Sequence, residues 1–255
     1  MASIEDFLDT KISNVDGQVI AFFGVFDGHN GPGAAKYVKT NLFDNLVKQL
    51  ESVADTKLAI AEAYKQTDQN WTEHNHSQVV KSGSGSTACT VILMADRLLV
   101  ANVGDSRAVI CRGGNAVALS IDHKPNRADE RQWIEDIGGV LMCDHMWMVG
   151  DLVSSSANKW VAGAGRLSHA FGDTVLKPYV VADPEIQKGT IKEGDDFLVV
   201  ASAGLWNVMS MKNAVSMVKS IPDATAAACK LTKEAHDTGS ADNITCVVIR
   251  FNHYL

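Results

Sequence analysis

Gln18-Val19-Ile20-Ala21-Phe22-Phe23-Gly24-Val25-Phe26-Asp27-Gly28-His29-Asn30-Gly31 is an apolar run of strand length that stops at a polar, turn-rich stretch. The residues after it have another period. Ala34, Val38, Leu42, Leu46 and Leu50 recur every four residues, and Pro32 sits where the first turn of a helix tolerates it. A buried strand therefore feeds a helix through Asp27-Gly28. A second helical pattern spans about Asp55 to Glu73, and the polar, glycine- and serine-rich stretch His74 to Gly85 reads as an exposed loop.

From Ser86 to Ile121 short β-branched and apolar segments alternate with turns. Thr90 to Met94, Leu98 to Val103, Ala108 to Cys111 and Ala116 to Leu119 predict an antiparallel meander. A helix from about Arg127 to Ile137 ends at Gly138-Gly139, a left-handed cap. Met142 to Gly165 carries neither period and reads as a mobile excursion. Beyond it lie a strand at Phe197 to Ser202, helices near Met211 to Lys219 and Ala224 to His236, and a strand at Ile244 to Phe251. With no internal repeat and no linker, residues 1–255 form a single α+β domain, sheet packed on sheet with helices outside.

Composition narrows the function. The 255 residues are 46% hydrophobic and carry 30 acidic against 23 basic side chains, a net charge of −7. Without a basic run, a grip on nucleic acid or on an anionic membrane surface is not expected. No apolar run approaches the roughly 20 residues that span a bilayer. The five cysteines are scattered, with no zinc spacing, and read as reduced thiols of a cytoplasmic or nuclear protein.

Chemistry is expected where acidic residues interrupt apolar strands. Asp27 follows one buried run, Asp242-Asn243 precede another, and the 197–202 run ends at Ala203. If the 197 and 244 strands are antiparallel neighbours, positions 203 and 242 share one sheet edge, which suits a hard divalent cation. Each residue also has a plain reading. Asp27-Gly28 suits a turn, Asp242-Asn243 a strand start, and His29 a turn histidine. Glu5, Asp6 and Asp9 suit a solvated acidic face, and Asp105 a hairpin residue paired with Arg107.

Together the motifs resemble a family. Phe23-Gly24-Val25-Phe26-Asp27-Gly28-His29, Ala101-Asn102-Val103-Gly104-Asp105-Ser106-Arg107, Asp122-His123-Lys124-Pro125, Ala170-Phe171-Gly172-Asp173, Gly204-Leu205-Trp206 and Ser240-Ala241-Asp242-Asn243-Ile244-Thr245 stand in the order seen in PP2C-type (PPM) protein serine/threonine phosphatases, most like plant members. The resemblance runs from Glu5 to Phe251. It implies an αββα sandwich, two antiparallel sheets face to face between helices, with a binuclear Mg2+ or Mn2+ centre at one end. By this similarity Asp27 bridges the metals, Glu5 and the Gly28 carbonyl serve one of them, Asp242 serves the other, and Asp105 belongs to a weaker third site. His29 resembles the general acid that protonates the leaving serine or threonine oxygen.

The departures from the family pattern surround the same site. The family has an aspartate before Gly-Leu-Trp where this chain has Ala203, and a methyl group cannot coordinate. Ser202 is expected to point to the opposite face of its strand and Asn207 to lie beyond the turn. The arginine that clamps the substrate phosphate falls at Met1. His169 stands where arginine is usual, Asn30 replaces a glycine, and the flap segment, residues 142–164, is longer than its counterpart. These features lead us to expect a phosphatase-like scaffold with impaired or lost hydrolysis and reduced metal occupancy. It would be a monomer that binds a phosphoprotein or a regulatory protein, with Ser154 to Trp160 as the partner surface. The alternatives are a competent Mg2+/Mn2+-dependent phosphatase and a scaffold whose acidic residues bind no ion.

Overall fold

The computed structural model describes residues 3–77, 83–143, 147–155, 158–165 and 167–251, with backbone pairing alone over 142–165. The chain opens with β1 (Phe7–Val15) and β2 (Gln18–Phe26), a hairpin closed by Asp16 and Gly17 at φ +50° and +81°. Two positive φ angles give the turn the hand that matches strand twist. β1 is not apparent in the sequence, because an edge strand with half its side chains exposed lacks an apolar run.

β3 (Gly28–His29) leads into α1 (Gly33–Ser52), then α2 (Thr56–His76), capped by the Asp55 carboxylate on the backbone N–H groups of Lys57 and Leu58. β4 (Gly85–Ser86), β5 (Ala88–Met94), β6 (Arg97–Val103), β7 (Arg107–Arg112) and β8 (Asn115–Ala118) follow. Two expectations change here. The 74–85 stretch is not simply an exposed loop: α2 extends to His76, and Ser84 to Ser86 are buried. The meander is not one sheet either. β5 and β6 lie in one sheet and β7 and β8 in the other, so the chain crosses between sheets at Gly104-Asp105-Ser106.

α3 (Ala128–Asp136) precedes β9 (Val140–Cys143), β10 (Trp147–Ser155) and β11 (Asn158–Gly165), a separate antiparallel sheet. The expected mobile excursion is thus a sheet of its own over the described residues. Its partner-surface stretch, Ser154 to Trp160, includes 156 and 157, and these two and the side chains of that stretch lie outside the described residues. The chain ends with β12 (Phe171–Gly172), β13 (Glu185–Thr190), β14 (Asp195–Ala201), α4 (Ala203–Trp206), α5 (Met211–Val218), α6 (Ala224–Asp237) and β15 (Cys246–Arg250).

Two large sheets, in strand orders β1-β2-β5-β6-β13 and β15-β14-β7-β8, pack face to face. Val25, Val91, Val100, Ile110, Leu198 and Val200 fill the space between them. On the outer face of the first sheet, Phe22 and Ile92 meet Val38 and Leu42 of α1 and Tyr64 of α2. On the outer face of the second, Val109, Phe197 and Val199 meet Val215 of α5 and Leu231 of α6. β14 therefore buries both its faces, which is why it reads as an unbroken apolar run. The result is the expected αββα sandwich. Each large side chain so buried contributes about 1.5–3 kcal/mol.

Candidate active site

Strand ends from distant parts of the chain meet at one end of the sandwich. β14 pairs antiparallel with β15, Ala201 opposite Cys246, and Ser202 N–H donates to the Thr245 carbonyl at 3.0 Å. The Ser240 hydroxyl donates to the Gly204 carbonyl at 2.7 Å. Position 203 thus lies beside 242, as the antiparallel pairing requires. Asp27, at the end of β2, closes the group: its Oδ2 accepts the Ala203 backbone N–H at 3.0 Å, and its own N–H donates to Thr87 Oγ1 at 3.2 Å.

The segment before β1 is tied in by Asn243, whose Oδ1 accepts the N–H of Glu5 at 2.7 Å and of Asp6 at 3.4 Å. Here Asp6, read from sequence as part of a solvated face, proves to be one of the site's buried carboxylates. It is 8% exposed, and its Oδ2 accepts no hydrogen bond. Burial and the charge of Asp242 raise its pKa against the Ser202 and Thr245 hydroxyls, which lower it. Ser202 Oγ accepts the Thr245 N–H at 3.0 Å and donates to the Asn243 carbonyl at 3.4 Å, so it faces the Asp242-Asn243 segment, because the chain leaves β14 at Ala201 to start α4. The signal for Asp6 was its place immediately before a strand, as Asp242 lies shortly before β15 and Asp27 immediately after β2.

Glu5 lies half-buried, with Oε2 accepting the Gly31 N–H at 3.2 Å. Gly28 passes so close that a Cβ there would lie 2.4 Å from the Glu5 carbonyl oxygen. Asp242 is exposed, its Oδ1 accepting the Asn243 N–H at 2.8 Å. Asp105 does not pair with Arg107: its carboxylate is ion-paired with Lys124, while Arg107 forks onto Asp122 at 2.9 and 2.8 Å. Met1 lies outside the described residues.

These carboxylates crowd one another. Burial first, then the charges of Asp6, Asp105 and Asp242, push Asp27 up to about 8, although the Ala203 N–H pulls it down. Buried carboxylates this close do not all ionise unless cations join them. With the orphaned Asp6 oxygen, this all-oxygen donor set fits hard divalent ions such as Mg2+ or Mn2+. The side chain at position 203 is a methyl group and adds no oxygen to this set.

His29 stands at the rim. β3 pairs with β4, and β4 with β12, so this small sheet brings His29 to Asp173, with Nε2 2.7 Å from Oδ2. Asp173 is 4% exposed and held at φ +44°. A Cβ on Gly85 would lie 2.3 Å from His29 Nε2 and 2.7 Å from Asp173 Cγ, so that position requires glycine. Burial works against the imidazolium, but the Asp173 hydrogen bond and charge, with Asp105 and Glu5 farther off, raise its pKa above the ordinary value. Asp173 lies within a quoted motif, yet spacing alone gave it no partner.

The profile of the family Protein phosphatase 2C matches residues 6–244. The chain belongs to that family. It is 53% identical over 250 residues to "Probable protein phosphatase 2C 59" of Arabidopsis thaliana, covering 98% of this chain and 76% of that protein. To "Probable protein phosphatase 2C 45" of Oryza sativa subsp. japonica it is 52% identical over 252 residues, covering 99% and 84%. Among solved structures, the serine-threonine phosphatase 2C from Toxoplasma gondii superposes with a TM-score of 0.76 at 24% identity, covering 97% of this chain and 94% of that one. That likeness supports the fold. Protein phosphatase 2C enzymes are in general dependent on Mg2+ or Mn2+, in keeping with the oxygen-rich cluster here. Among the described residues no helix is long and apolar enough to cross a membrane.

Proposed function

We propose that this chain is a protein phosphatase 2C homologue with weak or no hydrolysis, which acts by binding a phosphoprotein or a regulatory protein at the retained cleft. The observation that carries the reading is Ala203: its backbone N–H meets Asp27 Oδ2, and its side chain is a methyl group where a carboxylate is expected from the family pattern. Asp6, Asp27, Asp242, Glu5 and the Gly28 carbonyl remain to hold divalent ions at reduced occupancy. Bound Mg2+ or Mn2+ would acidify a water and neutralise charge on phosphoryl oxygens. The chain's own residues would do the rest. Asp27 orders the site through Thr87 and Ala203, and His29, oriented by Asp173, holds a proton at the rim for a leaving oxygen. We place the protein as a monomer in the cytoplasm or nucleus.

Losing one anionic ligand should cost more than the 10- to 100-fold typical of changes one shell farther out. The test is phosphate release from a phosphothreonine peptide with Mn2+. The proposal expects a rate no higher than that of Asp27→Ala, and clear Mn2+-dependent turnover overturns it. The intact His29–Asp173 pair and the surviving carboxylates favour a second reading, a competent phosphatase. It expects Ala203→Asp to raise activity only modestly, so a gain of several decades counts against it.

A further inference from the structure

A second cluster of ligating side chains lies outside the carboxylate centre. His123, from the segment after β8, Glu130, from α3, and His169, from the segment before β12, place one ligand atom each within 4.8 Å of the others. His123 and Glu130 are 1% and 6% exposed. His169 Nδ1 donates to the Asp183 carbonyl at 2.7 Å, and that bond turns Nε2 toward Glu130 Oε2, 3.1 Å away. Glu130 Oε2 and the Ser168 hydroxyl are both buried without a hydrogen bond. His169 Nε2 and Glu130 Oε2 thus face each other across a gap that a shared proton or a metal ion can fill.

We propose that His123, Glu130 and His169 form a Zn2+ site. Two ligands of a tetrahedral zinc, at bond lengths of about 2.0–2.2 Å, stand roughly 3.3 Å apart. The His169 Nε2 to Glu130 Oε2 separation, 3.1 Å, already matches that bite. A carbonyl on the far ring nitrogen is the usual support for a metal-binding histidine. The other carboxylate oxygen, Glu130 Oε1, accepts Arg127 Nη2 at 2.7 Å, leaving Oε2 for the ion. His123 completes the shell only by moving. Its ring is stacked on His169 at 4.0 Å and 17°, with Nδ1 accepting the Gly104 N–H at 3.2 Å, so ligation swings it out of the stack and breaks that contact. Water takes the fourth position. The ion would tie three separate segments together, including the one that runs from His169 to Asp173.

The test is a Co2+ titration of the full chain in excess Mg2+, read by the d–d absorption of four-coordinate cobalt. The band should appear at one equivalent, vanish on adding Zn2+, persist in Asp27→Ala, and be lost in His169→Arg and Glu130→Gln. Circular dichroism checks that each variant is folded, and the wild-type titration stands by itself if one is not. A wild type without the band, a band undiminished in folded His169→Arg, or a thiolate charge-transfer band reporting cysteine ligands overturns the proposal.

Discussion

Ala203 gives its backbone N–H to Asp27 Oδ2 at 3.0 Å, across 176 residues of sequence. The bond holds the aspartate in place whatever side chain stands at 203, so changing that side chain probes the metal centre with little disturbance to the fold. Ala203→Asp should raise Mn2+ affinity at least about tenfold. Without a divalent ion the same substitution adds a further charge beside Asp27 and should lower the thermal midpoint. Calorimetric titration and a melting curve in chelator check the two halves, and an unchanged Mn2+ affinity contradicts this account of the site.

Asp27 predicts a pH dependence of stability. Its folded pKa, pushed up to about 8, lies above the ordinary 3.8, so between those values the folded state binds the extra proton. Stability from this group is therefore fully present below the unfolded value and is lost as pH rises through the folded one. In chelator, Asp27→Asn should be more stable than the wild type at pH 8, by about 1–3 kcal/mol, with the difference vanishing near pH 4. Saturating Mg2+ should reverse the order. Urea midpoints across this range measure it.

The His29–Asp173 pair predicts a dependence of the same sign from a different cause, since a hydrogen bond and a charge raise this group where burial raises Asp27. Asp173→Asn removes the charge that raises the His29 pKa, so the imidazole should titrate at lower pH in the variant, as read by NMR. A raised histidine contributes stability that is present below its unfolded pKa and disappears as pH rises through its folded one. The variant should therefore lose most stability in mildly acidic solution and little at high pH. Equal losses at both ends would mean that Asp173 acts through packing alone.

Gly85→Ala tests the close approach of β4 to that pair. The added methyl group would meet His29 Nε2 and Asp173 Cγ at 2.3 and 2.7 Å, so one of them must move. We expect a loss of about 1–3 kcal/mol in chemical unfolding and a His29 titration displaced toward its ordinary range. An unperturbed titration would show that the pair is not held as described.

Elements buried on both faces were the most legible in the sequence. Phe197 to Ser202 and Thr90 to Met94 read as strands because the side chains of β14 and β5 pack on both sides. β1 escaped notice because it is an edge strand with an exposed face. The 142–165 sheet was missed because its residues show no period. At the site, Asp27 and Asp242 stood out against apolar runs. Asp6 did not, because its burial depends on Asn243, far away in sequence. For Asp105 only the plain reading, a pair with Arg107, fails: its partner is Lys124, reached because the chain turns into the second sheet at that point.

The Asn243 side chain that receives the Glu5 and Asp6 amides has a consequence for synthesis of the chain. The acidic cradle joins residues that leave the ribosome well apart in time, Glu5 and Asn243 being 238 positions apart. Until that asparagine emerges, Asp6 and Asp27 have no counterpart from the far end. A nascent chain stalled short of it should fold its first hairpin and helices, yet capture manganese only once the closing strand has docked.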